Sequence, residues 1–129
     1  MLGRKTYEPQ EIDTAEAAIG DVLAAFAPLQ GTAALEPLLC NALVLALDRP
    51  FVHRVRTVGG KDTNPLNEVE LLVDSLLAGD GTFHTNKVIR WNPEASVLGL
   101  ADGDPIVLDA TRLERLAAAF FAELRARCL

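Results

Sequence analysis

The side chains best suited to chemistry gather in one short stretch of this chain, RPFVHRVRTVGGKDTNPLNE, residues 49–68. It joins a basic cluster to a glycine pair and two asparagines that precede an apolar run. The first amides of a helix present free N–H groups and the positive end of the helix dipole, so cations beside a helix start can bind an anion. The candidate ligand-binding residues are His53, Arg54, Lys61, Asp62, Asn64 and Asn67, together with the amides at 65–67.

The same pattern also fits an ordinary loop that leads into a well-capped helix, and this interpretation is the one we favour. The stretch lacks the G-x-x-x-x-G-K-[ST] spacing of a phosphate-binding loop. Asp48 or Asp62 would then pair with a neighbouring arginine. Among the nearby acids, Glu68 and Asp74 are candidates for acid–base work, with solvent exposure as the simpler interpretation.

Other catalytic chemistry finds little support in the sequence. No G-x-S-x-G motif occurs, and Cys40 lies in an apolar run that disfavours a thiolate. His53 and His84 lack the spacing of a zinc site. We therefore expect no metal, no cofactor and no catalytic activity of its own.

The elements that must position these residues are mainly helical. An apolar stripe predicts a first helix that begins at Pro9 and ends at Pro28. Leu38–Leu47 is apolar apart from Asn41, which predicts a buried helix at the centre of the fold or at a subunit interface. Pro50 either ends this helix or kinks it into a further piece that reaches Arg56. Asn41 should find a hydrogen-bond partner there.

The second half of the chain predicts a helix, a hairpin and a helix. Asn64 caps a third helix over 65–78, and Gly79 ends it. KVIRW at 87–91 and a segment at 105–108 read as two short strands. Asp109 caps the last helix, which runs to the end of the chain. The predicted fold class is α+β, a single domain over 1–129 with a frayed start at 1–8: about four helices and a small antiparallel β-hairpin between helix three and the C-terminal helix.

The composition of the chain limits the kinds of partner that we expect it to bind. The chain has 129 residues, a net charge of −6 and 50% hydrophobic residues, with a mean hydropathy of +0.19. Acidity disfavours nucleic acid, whose affinity rests on phosphate neutralisation. Because a small domain has much surface per volume, some apolar residues should reach that surface, which indicates a homo-oligomer such as a dimer. An alanine-rich helical core is the alternative.

The compartment follows from three weaker signals. Two cysteines without a disulfide framework are typical of a reduced cytoplasmic protein. The start MLGRKTYEPQE lacks the apolar core of a signal peptide. The longest apolar run is too short to span a bilayer, so no membrane segment is expected.

Two resemblances accompany these patterns. VIRWNPEASVLGLADGDPIVL at 88–108 resembles the swapped-hairpin barrel of bacterial transition-state regulators and antitoxins, which implies DNA binding. Most of the basic residues expected of that family are missing. The longer run from LDRPFVHRVR to FFAEL, covering 38–129, resembles a family of small uncharacterised bacterial proteins. That resemblance implies no activity and no site residues.

The expected function is therefore self-association or the binding of a protein partner, in a cytoplasmic bacterial protein. A small-ligand or anion-binding protein, or an enzyme, with its site in the 53–67 loop is the first alternative. A DNA-binding regulator that uses the 88–108 hairpin is the second.

Overall fold

Four α-helices carry the fold in the computed structural model, which describes residues 3–129. They are α1 (Pro9–Phe26), α2 (Leu35–Asp48), α3 (Pro65–Ala78) and α4 (Ala110–Cys128). The last helix contacts each of the other three, α2 also packs on α1 and α3, and the connecting segments close the remaining sides. The predicted order of helices is therefore present.

Local sequence signals explain where the helices begin and end. The Glu11 carboxylate accepts the N–H of Glu8 and so satisfies a donor before α1. Asn64 accepts the N–H of Asn67 at the start of α3. Gly79 ends α3 with a φ of 86°, a left-handed conformation that favours glycine. Asp109 accepts the N–H of Arg112 and caps α4.

An aromatic cluster centred on Phe51 ties the helices to the chain start. Phe51 is fully buried, and its ring makes edge contacts with Tyr7, Phe120 and Phe121 at centroid distances of 5.0, 6.1 and 6.4 Å. Such edge-to-face pairs stabilise a core beyond the area that they bury. The core thus fixes the position of the segment that follows α2.

Pro50 ends the second α-helix rather than bending it. The helix stops at Asp48, and Arg49–Phe51 forms a 3₁₀ turn. A second 3₁₀ turn, Arg56–Gly59, follows. Proline lacks an N–H and clashes with the preceding turn, so the chain leaves the helix here and can place Phe51 in the core.

The predicted α+β fold class is wrong, because residues 3–129 contain no β-hairpin and no sheet. The only bridges in this range are isolated ones, between Arg4 and Arg54 and between Thr82 and Pro105. Residues 87–91 and 105–108 do not pair with each other, and the fold is all-helical.

Side chains, not a neighbouring strand, satisfy the backbone donors of the segment between α3 and α4. Asn86 accepts the N–H groups of Val88 and Ile89, and Trp91 donates from its indole nitrogen to the Leu100 carbonyl. The buried residues of this segment pack onto the helical core: Phe83, Ile89, Leu98, Leu100, Ile106 and Leu108. Prolines, glycines and turn-forming side chains interrupt the apolar runs too often for two strands to form.

The start of the chain is held against the core from residue 4, where fraying was expected. The backbone N–H of Arg4 donates to the His53 carbonyl, and the N–H of Val55 donates to the Arg4 carbonyl. Tyr7 is buried and donates its backbone N–H to the carbonyl of Cys128. The frayed start predicted for 1–8 also included Met1 and Leu2, which lie outside the described residues.

Candidate functional site

The two asparagines of the predicted site hold a loop together. The Asn64 amide donates to the Gly59 carbonyl at 2.7 Å, and the Asn67 amide donates to the carbonyls of Gly59 and Asp62 at 3.0 and 2.7 Å. Both residues are buried. Their polar atoms are therefore occupied by the 59–62 loop, and they staple it to the start of α3.

The start of α3 offers few donors to an anion. Pro65 has no N–H, and the N–H of Asn67 already donates to Asn64. The N–H of Glu68 donates to the Asn64 carbonyl in the first helical turn. Of the amides at 65–67 only that of Leu66 is left, and Leu66 is buried.

The remaining predicted residues separate from one another. Arg54 is buried in an ion pair with Asp48, 2.9 Å apart, and it also donates to the Phe51 carbonyl. Lys61 and Asp62 are exposed and line an open depression of about 320 Å³, together with Arg90. His53 is exposed and lies outside the lining of that depression. The structure thus does not bring the predicted set into one site.

A charged pocket that the sequence did not reveal as a unit lies between the end of α2 and α3. It has a volume of about 370 Å³ and is lined by Asp48, Val52, Arg54, Arg56, Glu70, Val73, Asp74 and Leu77. Burial raises the pKa of Glu70. Burial and then the charge of Asp48 raise the pKa of Asp74. The spacing of Glu70 and Asp74, four apart on α3, was the available signal for this pocket.

The two arginines of this pocket are already engaged. Arg54 pairs with Asp48. Arg56 places its Nε 3.1 Å from a Glu70 oxygen, although the pair is not aligned as a hydrogen bond, and it also donates to the Gly60 carbonyl. Within the described residues only Asp74 has no ion-pair partner among the five charged groups. Both arginines of the pocket are thus paired with acids, Asp74 adds one further acid, and the pocket presents no free cation cluster for an anion.

Glu68, which the sequence marked for acid–base chemistry, is a buried structural acceptor. Its two carboxylate oxygens accept the backbone N–H groups of Val97 and Leu98, each at 2.9 Å. Burial raises the pKa of Glu68, and the two hydrogen bonds oppose that rise. Because both oxygens already accept hydrogen bonds from the backbone, neither is directed at a substrate.

The most unusual surface is the solvent side of α2. This surface, called here the outer face of α2, consists of Leu35, Leu38, Ala42, Leu45, Ala46 and, just past the helix end, Arg49. Leu38 is 67% exposed and Leu35 is 49% exposed. Arg49 is its only charge. Soluble helices normally place polar residues on this side, so the outer face of α2 has the composition of a contact surface.

A second apolar surface lies between α1 and α4. This α1/α4 groove has a volume of about 410 Å³ and is lined by Glu16, Ile19, Gly20, Leu23, Ala24, Ala27, Glu114, Ala117, Ala118 and Phe121. Most of these side chains are apolar and several are small, and Glu16 and Glu114 are the charged ones.

Asn41, at the edge of the outer face of α2, does not make the expected hydrogen bond. Its Oδ1 atom is buried and meets no donor within residues 3–129. The prediction of a structural polar contact at this residue is therefore wrong for that oxygen.

Two further observations concern metals and membranes. Residues 3–129 hold no group of three or more histidine, cysteine, aspartate or glutamate side chains arranged to bind a metal ion. None of the helices in that range is both long and apolar enough to cross a bilayer.

Comparisons of this chain with protein-family models, with curated proteins and with solved structures give no match. Both resemblances noted in the sequence therefore stay predictions, and any function rests on the geometry described above.

Proposed function

We propose that this protein acts through self-association, and that the outer face of α2 is the surface it uses. The observation that carries the proposal is the exposure of large apolar side chains along one helix side that holds a single charge, Arg49. Burying such side chains removes apolar area from water, which is the dominant favourable contribution to association.

A second copy of the chain suits this surface because of its charge. The chain carries a net charge of −6, so two copies repel each other over most of their surface. No acidic residue belongs to the outer face of α2, and two copies can therefore meet there without placing carboxylates together. A reducing cytoplasm is part of the proposal, and the two buried free thiols, Cys40 and Cys128, support it.

Replacement of Leu38 by glutamate tests the proposal. Leu38 makes little contact within one molecule, so the variant should fold like the wild type. We expect light scattering coupled to gel filtration to give a mass above 13.9 kDa for the wild type. The Leu38→Glu variant should need at least about 10-fold higher concentration to associate, because a buried charge replaces a buried leucine.

Val88→Glu is the matched control. Val88 is a similarly exposed apolar residue, at 52%, but it lies in the segment after α3. The control variant should associate like the wild type. A wild-type protein that stays at 13.9 kDa at high concentration would overturn the proposal, as would equal association of Leu38→Glu and wild type.

A further inference from the structure

The α1/α4 groove has the shape of a receptor for a helix. Its lining includes Gly20 and Ala24 on α1, Ala27 just past the end of α1, and Ala118 on α4, so short side chains follow one another along a channel of about 410 Å³. Ile19 and Phe121 give it an apolar floor. A helix that carries large apolar side chains can approach closely over such small residues.

Gly20 is the residue that internal packing does not explain. It lies inside α1, where glycine costs about 1 kcal/mol relative to alanine. A Cβ atom at this position would meet nothing within 4 Å. No neighbour within the molecule therefore requires glycine here, whereas a chain that docks from outside would gain the space.

We propose that the α1/α4 groove of one copy receives the outer face of α2 of a second copy, with the two helices antiparallel. This inference rests on the proposed self-association and names the surface that completes it.

The two surfaces match in length along their helices. The small residues Gly20, Ala24 and Ala27 follow one another at intervals of four and three residues. Leu38, Ala42 and Leu45 on α2 are also four and three residues apart, and in an antiparallel pair these intervals run in the opposite order to those of the small residues. At a rise of about 1.5 Å per residue, both sets span about 10 Å. With Ala42 against Ala24 at the centre, Leu38 lies near Ala27 and Leu45 near Gly20, each offset along the axis by one residue, about 1.5 Å.

Charge selects the antiparallel orientation. Arg49 follows Leu45 by four residues, and Glu16 precedes Gly20 by four, so an antiparallel pair places the guanidinium beside Glu16. At that end of the groove one cation, Arg125, is shared by two carboxylates, with Asp13 at 2.9 Å and Glu16 at 2.8 Å. Arg49 has no ion-pair partner in the described part of its own chain, whose ion pairs involve other cations. It would supply the missing positive charge.

Packing of α2 against a second α2 lacks these matches. In an antiparallel pair centred on Ala42, Leu38 would meet the equally large Leu45 region of the other copy. Arg49 would meet the apolar Leu35 end and no carboxylate of the outer face. The groove offers small residues for the leucines and an acid for the arginine, so it is the better complement.

Gly20→Lys blocks the groove and adds a cation close to the expected position of Arg49. Lysine also improves helix propensity, so the variant should fold. We expect Gly20→Lys to associate at least about 10-fold more weakly than the wild type in light scattering. Ala25→Lys is the control, because Ala25 is an exposed α1 residue outside the groove lining and carries the same charge change. It should associate like the wild type.

Mixing the two blocked variants distinguishes the inference from the broader proposal. Leu38→Glu keeps an intact groove, and Gly20→Lys keeps an intact outer face of α2. At a concentration at which the wild type just associates, each variant alone should be mostly monomeric, and their equimolar mixture should form a complex of one copy of each. If Gly20→Lys associates like the wild type while Leu38→Glu does not, or if the mixture stays monomeric, the inference fails and the use of α2 stands. A monomeric wild type overturns both.

Discussion

The Glu68 carboxylate shows how one residue replaces a strand in this fold. Val97 and Leu98 have no β partner, and both direct their backbone N–H groups at its two oxygens. Such bonds to an ionised acceptor are stronger than those between neutral groups. Burial nevertheless raises the pKa of Glu68, because removing the charge from water outweighs the two bonds. The residue is a positioning group for the segment between α3 and α4.

Glu68→Ala should destabilise the protein by about 2–4 kcal/mol, because it leaves two backbone N–H groups without an acceptor and opens a cavity. Chemical denaturation followed by circular dichroism measures the change. Glu94→Ala, at an exposed acid in the same segment, should stay within about 0.5 kcal/mol of the wild type. Equal stability of Glu68→Ala and wild type would mean that the segment holds itself without the carboxylate.

The raised pKa of Glu68 also fixes the sign of its pH dependence. A carboxyl group whose pKa is higher in the folded state binds its proton more tightly there than in the unfolded chain. Its contribution to stability is therefore greatest below the ordinary glutamate pKa of about 4.3. That contribution falls as pH rises through the raised value. Burial also raises the pKa of Glu70 and of Asp74, so their contributions to stability change with pH in the same direction.

At the scale of elements, the 59–67 segment is a stapled helix start. Asn64 accepts the N–H of Asn67 and donates to Gly59, so one side chain both caps α3 and anchors the preceding loop. Lys61, two residues after Gly59, is exposed and lines the open depression. We therefore expect the side chains of the two asparagines to stabilise the fold and the side chain of Lys61 to contribute little.

Asn64→Ala should lower the free energy of unfolding by about 1–2 kcal/mol, as loss of a helix cap does. Lys61→Ala should change it by less than about 0.5 kcal/mol. Thermal and denaturant unfolding of the two variants provides the comparison. A strongly destabilised Lys61→Ala, or an unaffected Asn64→Ala, would contradict the description of this segment as a loop staple.

The helices were predictable because their signals are local. Asn64, Pro65 and Gly79 are sufficient to place α3, whose bounds of 65–78 are confirmed. The absence of the predicted hairpin was not visible in the same way, since a strand forms only with a partner that short-range patterns do not reveal. The side chains of Asn86 and Glu68 supplied the acceptors instead, and Glu68 lies about thirty residues from the amides that it binds.

The candidate site was predicted only in part, for a related reason. Residue types at 53–67 indicated polar chemistry, but the direction of each side chain depends on tertiary contacts. The Asn67 amide donates to the carbonyl of Asp62 in the loop, and Arg54 forms an ion pair with Asp48. The sequence predicted a helix that is either central or part of an interface; the exposure of the outer face of α2 leaves the interface as a prediction.

At the scale of the whole molecule, charge is unevenly distributed and supports directed association. Every charged residue of α1 is acidic, and α4 supplies Arg125 to Asp13 and Glu16. The outer face of α2 carries only a cation. A molecule with an acidic helix on one side and a cationic apolar face on another can join copies in one preferred orientation.

The two thiols report on how far the whole molecule opens. Cys40 lies on the inner side of α2 and Cys128 in the last turn of α4, and both are buried. Burial raises the pKa of Cys40 from 9.0 to about 11, which lowers the thiolate fraction near pH 8 about 100-fold. Burial also raises the pKa of Cys128.

We expect Ellman's reagent to label the native protein at least about 100-fold more slowly than the protein in concentrated guanidinium chloride. The single-thiol variants Cys40→Ala and Cys128→Ala separate the two rates. The thiol of Cys128 should react faster, because a terminal helical turn frays more readily than a central helix. Labelling of Cys40 as fast as that of Cys128 would show that α2 opens locally, and a closed helical core around Phe51 would then be contradicted.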